Sequence, residues 1–252
     1  MISKTGRKIF FINPPDSLKG SSLEYIFKNE FELYILENRA KLNKLLNFFH
    51  DAIVFINIDV GMTPYEWVDY IEELQRKHPN VIFTVFSGKD RNALKKTLLM
   101  DIGITGGYIQ FSGDNWETVK LINQVLEINE ARGRRKSVRL DFNKNELKEN
   151  IISKIFTTKG YTTIGDIISF SSAGLFITIT KGKLDKDDII ERVVFKLNDH
   201  EIDVNGYVLK TFDNGNIFIT FKDISESDKE FVQMYIFNHL QESFKRLVEK
   251  IK

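Results

Sequence analysis

Arg132-Gly-Arg-Arg-Lys-Ser-Val-Arg-Leu-Asp-Phe142 is the stretch on which the reading of this chain turns. From Val138 onward it alternates: Val138, Leu140 and Phe142 point one way while Ser137, Arg139 and Asp141 point the other, the pattern of a half-buried strand. Its first eight residues carry five cations, Arg132, Arg134, Arg135, Lys136 and Arg139, with no acid among them. A guanidinium is a planar fork that grips phosphate oxygens or the N7/O6 edge of guanine with two parallel hydrogen bonds, which a lysine cannot do. Arg135 and Arg139 are four apart and share a side of the backbone in either helix or strand.

The chain reads differently on the two sides of this stretch. Before it, short apolar runs at 8–13, 31–36, 52–59, 81–86 and 107–111 alternate with helical patterns at 21–29, 39–50, 64–78, 89–101 and 115–131. Five βα units of this kind predict a doubly wound parallel sheet. Thr63-Pro64 with Glu66 is a helix start, with Thr as cap, Pro in the first turn and Glu completing a capping box. After the stretch, strands are expected at 151–157, 164–170, 174–180, 190–197, 201–212 and 216–222, joined by polar or Gly-bearing turns into an antiparallel barrel. A helix from Ser227 places Phe231, Met234, Phe237, Leu240, Phe244, Leu247 and Ile251 in a stripe that must be buried. Two domains follow, residues 1–131 and 132–252, with the Arg-rich segment at their boundary.

Composition narrows the function. The 252 residues are 42% hydrophobic, enough for sizeable cores, and the formal net charge is +1, so the basic character is local and disfavours a general nucleic-acid binder. Without cysteine there is no disulfide and no thiolate metal site, which fits a reducing cytoplasm. No apolar run reaches the ~18 residues of a membrane span, and membrane insertion is not expected. His50, His78, His200 and His239 stand alone in sequence, without metal-ligand spacing, so no metal or cofactor is expected.

A second motif, Ser169-Phe-Ser-Ser-Ala-Gly174, lies some thirty residues beyond the first. Ser169 and Ser171 fall on one face of a strand, and Gly174 allows a backbone turn that a Cβ would hinder. Together the two motifs resemble the PilZ domain, a receptor module for the bacterial second messenger cyclic di-GMP, whose pattern is RxxxR followed by [DN]xSxxG. Arg135 and Arg139 match the two family arginines, Arg134 the extra arginine often found before them, and Ser171 and Gly174 the Ser and Gly. Ser169 departs, standing where the family prefers Asp or Asn, which predicts weaker binding; Asp166 is read as a strand or loop residue and not as its substitute. The resemblance extends through Ile164-Gly-Asp-Ile167, Gly206-Tyr-Val208, Phe218-Ile-Thr-Phe221 and a Ser-x-x-Asp helix start, covering residues 132–237. It implies a receptor and not an enzyme. Cyclic di-GMP would be held by Arg134, Arg135, Arg139, Ser169, Ser171 and Gly174, with a change of domain arrangement passed to a protein partner.

The N-terminal part resembles the response-regulator receiver fold, also called flavodoxin-like, but without its chemistry. The acidic pair after the first strand is replaced by Asn13 and Pro14, and the Lys after the fifth by Phe111, leaving Asp59 and Ser87 at the phosphoacceptor and hydroxyl positions. A degenerate receiver is the reading that follows. Three rivals accompany the receptor reading: a PilZ scaffold that binds no nucleotide and acts as an interaction module, nucleic-acid binding through Arg132 to Arg139, and phosphorylation at Asp59. Taken alone, the Arg cluster would also fit a solvated helix end complementing the macrodipole. The sequence identifies neither the partner nor the oligomeric state.

Overall fold

The computed structural model describes residues 6–111, 115–134, 136–142 and 150–251. They form two compact units, Met1–Lys136 with Phe244–Lys252, and Ser137–Ser243. This differs from the expected division at 131/132: residues 132–136 and the end of the terminal helix fall with the first unit.

The first unit runs β1 (Ile9–Ile12), α1 (Ser21–Lys28), β2 (Leu33–Leu36), α2 (Leu42–Leu46), β3 (Ile53–Asn57), α3 (Pro64–Lys77), β4 (Ile82–Ser87), α4 (Asn92–Lys96), β5 (Tyr108–Gln110) and α5 (Asn115–Ile128). Its strands are all parallel, in the order β2-β1-β3-β4-β5. β1 and β3 are buried along their whole length, which is why they read as unbroken apolar runs. The Thr63 cap forms as expected. Its Oγ accepts from Glu66 N, and Glu66 Oε2 accepts from Thr63 N at 2.7 Å, which holds the Glu66 carboxyl below its usual pKa. Two helices depart from expectation. The one expected at 39–50 opens as a tight turn, Arg39–Lys41, capped by Asn38, and its α-helical part ends at Leu46. The one expected at 89–101 widens into a π-helical stretch, Thr97–Ile102, closed by Gly103 at φ 71°.

The second unit contains β6 (Leu140–Asp141), β7 (Ile152–Thr157), β8 (Thr162–Ser171), β9 (Gly174–Lys181), β10 (Ile189–Leu197), β11 (His200–Thr211), β12 (Asn216–Phe221) and the start of α6 (Glu226–Lys250). Strands β8-β7-β10-β11-β12-β9 close into a six-strand antiparallel barrel, because β9 pairs back onto β8. Closure leaves no long unpaired edge among these strands. Phe170, Leu175, Ile177, Val193, Phe195, Ile202, Val208 and Ile219 fill its interior. β6 is far shorter than the alternation from residue 138 implied, yet that alternation holds: Val138, Leu140 and Phe142 are buried, while Ser137, Arg139 and Asp141 are half-buried.

The buried face of α6 is Val232, Tyr235, Ile236, Phe237, Leu240 and Phe244, so Phe237, Leu240, Phe244 and Ile251 of the expected stripe are covered, and Phe231, Met234 and Leu247 are not. Tyr235 packs on Phe170 inside the barrel unit, and Phe231 instead stacks on His200 with ring centroids 4.1 Å apart. Phe244 packs within the first unit against Phe10 and Tyr34, at 5.6 and 4.8 Å. Among the described residues no helix is long and apolar enough to cross a membrane.

Candidate functional site

β6 pairs antiparallel with β8, setting Leu140 opposite Phe170 and Asp141 opposite Ser169. This register puts the chain segment carrying Arg139 alongside Ser171. The two are also joined by side chains: Ser137 Oγ donates to Ser171 Oγ at 3.2 Å, and Ser171 Oγ accepts a second hydrogen bond from Ala173 N at 3.3 Å. The end of the first motif, from Ser137 to Arg139, thus becomes a neighbour of the second within the barrel unit.

A β-bulge makes the arrangement work. The β8–β9 register shifts between Ile167 and Ser169, so one extra residue enters β8 and the side-chain alternation changes phase. Ile167 and Phe170 both face the core, and Ser169 and Ser171 face away from it. Asp166 precedes the bulge, opposite Thr178, and is out of this row. Paired residues share a face, so cross-strand rows can be read from the register. One row runs Asp141, Ser169, Phe176, Phe218, Lys210; the adjacent one holds Ser171, Gly174, Thr220 and Tyr207. This outer face of the barrel is the candidate site.

Arg139 is a half-buried cation of this face. Its guanidinium lies over the Phe218 ring, 4.9 Å from the centroid, and the pair borders an open pocket of about 450 Å³ lined also by Phe176, Leu209, Lys210 and Phe212. Sequence reasoning missed these five partners. Their signal was present only as alternation, Phe176, Phe218 and Lys210 being outward positions of predicted strands, with no motif to single them out. Ser169 and Ser171 are 3% and 1% exposed, so they form the floor beneath Ser137 and Arg139 and do not line the open surface.

Gly174 follows the turn and also serves the strand after it. The turn is made by Ser172 and Ala173, and Gly174 is already in β9, paired with both Ser171 and Thr220. A Cβ there would sit 2.2 Å from the Ile219 carbonyl oxygen. Glycine is favoured here twice over, by its φ of +159° immediately after the turn and by the close approach of β12.

The remaining members of the cationic stretch are placed as follows. Arg134 is exposed in the turn following α5, and Arg135 lies outside the described residues. Arg132 pairs with Glu127 at 2.8 Å and stacks over Phe31 at 4.5 Å, which accounts for it structurally.

In the first unit Asp59 accepts on both oxygens. Oδ1 accepts from Ser87 Oγ at 2.8 Å and Arg91 Nη2 at 3.1 Å, and Oδ2 accepts from Gly88 N at 2.7 Å. The cation facing this carboxylate therefore comes from the segment after β4. Phe111, at the position where a receiver's Lys is expected, has its ring against Phe86, 6.0 Å between centroids. His78 Nε2 bonds Asn43, and His200 bonds Asp228 at 2.8 Å, holding that carboxyl below its usual pKa. Among the described residues no group of three His, Asp or Glu is placed to hold a metal ion.

No family model and no curated protein matches the chain. Among solved structures, the PilZ domain with c-di-GMP of YcgR from Escherichia coli is similar at 13% identity and a TM-score of 0.37, covering 47% of this chain and 99% of that one. The K. pneumonia MrkH-c-di-GMP complex is similar at 20% identity and a TM-score of 0.37, over 45% of this chain and 55% of that one. The Bacillus subtilis Inhibitor of motility (MotI/DgrA) is similar at 16% identity and a TM-score of 0.33, over 46% and 52%. Likeness at this level leaves the functional argument to the residues themselves.

Proposed function

We propose that the barrel unit is a receptor for cyclic di-GMP, bound on its outer face by Arg139. The observation that carries this reading is the pairing of β6 with β8, which sets the end of the cationic stretch beside Ser169 and Ser171 on one surface. Cyclic di-GMP offers two phosphates and two guanines, and a guanidinium fork suits either. Ser171 accepts two hydrogen bonds, from Ser137 and Ala173, so its own O–H remains to donate. Ligand entry exchanges the Ser137–Ser171 bond for contacts from the ligand to Ser171 and Ser169, so that binding repositions the segment around Ser137. That repositioning is the signal offered to a protein partner. Gly174 keeps β9 close to β12 and so sets the depth of the floor.

The N-terminal unit is read as receiver-like, from its parallel strand order and the positions of Asp59 and Ser87, and as a partner-binding module without phosphotransfer. One observation favours the rival scaffold reading: Ser169, in place of Asp or Asn, is a short hydroxyl at 3% exposure.

Isothermal titration of the full chain with cyclic di-GMP tests the proposal. Saturable heat from the wild type that is lost in Arg139→Ala supports it, and equal heats from the two proteins, or none from the wild type at tens of micromolar ligand, overturn it.

A further inference from the structure

We infer that the pocket bordered by Arg139, Phe176, Leu209, Lys210, Phe212 and Phe218 receives one purine ring of the ligand whose phosphate Arg139 holds. The inference rests on the receptor reading and extends the site across β9, β11 and β12, to residues outside the two motifs.

The side chains of this pocket are not those of an ordinary barrel exterior. Phe212 and Leu209 are 39% and 45% exposed, and Phe176 meets Phe212 edge-on at 5.5 Å. A group of apolar side chains on an outer face costs free energy unless something covers it. A second bulge creates the group: the β11–β12 register shifts between Val208 and Lys210, so Leu209 and Lys210 are adjacent in sequence and both reach the pocket. Bulges of this kind re-aim side chains, and this one brings a second cation, Lys210, to the pocket that Arg139 lines.

The chemistry of the walls selects the occupant. Lys210 Nζ lies 4.6 Å from the Phe212 centroid, and Arg139 lies 4.9 Å from that of Phe218. Aromatic rings with two cations beside them suit a flat ring joined to anionic groups, which describes a nucleobase and its phosphates and does not describe an aliphatic or acidic peptide side chain. A pocket of about 450 Å³ is in the size range of small-molecule sites. The base stacks on the phenylalanines, Arg139 bridges from ring to phosphate, and Lys210 neutralises the other end.

The test compares full-length wild type, Phe212→Ala, Phe212→Trp and Arg139→Ala by titration with cyclic di-GMP, with thermal melts as a folding control. Loss of one base–aromatic stack should weaken Phe212→Ala by between about fivefold and about 150-fold. Phe212→Trp keeps a stacking face, so it should bind within about threefold of wild type and show ligand-dependent quenching of indole emission that the wild type, with Trp67 and Trp116 elsewhere, lacks. If Phe212→Ala binds as wild type does while Arg139→Ala does not, the pocket inference is wrong and the receptor reading stands. Absence of quenching in a Phe212→Trp protein that binds also overturns it. If the wild type binds no cyclic di-GMP, the receptor reading fails first and the pocket inference with it.

Discussion

Asp141 and Ser169 face each other directly across the β6–β8 ladder. Like charges in directly opposed positions repel, so an acid at 169 would meet the Asp141 carboxylate, and it would do so at a position only 3% exposed. This gives a physical reason for a hydroxyl where the resembling family carries Asp or Asn. Ser169→Asp should lower stability by at least about 1 kcal/mol, with Asp141→Asn in the same protein restoring part of the loss, as thermal melts of the single and double variants would read. Ser169→Asn adds an amide without charge. It should leave the melting temperature near that of wild type and tighten cyclic di-GMP binding by about tenfold.

Arg139→Lys keeps the charge and removes both the planar fork and the stack on Phe218. Binding of cyclic di-GMP should weaken by about twofold to thirtyfold, the worth of one cation–π contact, on calorimetric titration. An unchanged affinity would mean that Arg139 acts only as a point charge.

Gly174→Ala places a Cβ 2.2 Å from the Ile219 carbonyl oxygen, so β9 and β12 must separate. The expected cost is about 1–3 kcal/mol, seen as a lower denaturant midpoint. Because the shifted strands form the floor of the site, ligand affinity should fall as well.

Asp188 links the loop before β10 to β7's turn. Its carboxylate accepts from Lys159 Nζ at 2.6 Å and from Asp185 N at 2.8 Å, and these two bonds hold its pKa below the usual value, the Lys159 bond being the larger cause. A folded-state pKa lower than the unfolded one, near 3.9, means its stabilisation is complete above about that pH and is lost as pH falls through the folded value. Asp188→Ala should therefore lower the melting temperature at neutral pH, and the difference from wild type should shrink in melts carried below about pH 3.9.

Ser87 and Arg91 donate to Oδ1 of Asp59 and Gly88 N donates to Oδ2, so the chain's own donors hold this carboxylate in place. Incubation with a small phosphodonor and Mg²⁺ should leave the protein unlabelled, as intact-mass measurement would show. Asp59→Ala should be destabilised by about 1.5–3 kcal/mol, because it removes the acceptor of Gly88 N and of the Arg91 guanidinium after β4.

Sequence alone was enough for the two architectures. The five parallel strands came from apolar runs with no alternation, because strands buried on both faces have no polar side, and the barrel came from the change to period two after Ser137. The capping box at Thr63 and the facing of Val138, Leu140 and Phe142 were equally legible, being set by local geometry. The tertiary structure decided what local patterns cannot carry. The bulge at Ile167 to Ser169 changes which side of β8 looks outward, and Gly174 is explained by a strand distant in sequence. Phe237, Leu240 and Phe244 of the expected stripe are buried on α6, and Val232, Tyr235 and Ile236 join them because what packs on each turn decides which side is covered. Arg139 and Phe218 are 79 residues apart and meet only because β12 pairs with β9 and β9 with β8. Periodicity records which side of a strand is buried; which exposed side chains meet depends on register, and register is fixed only when the sheet closes.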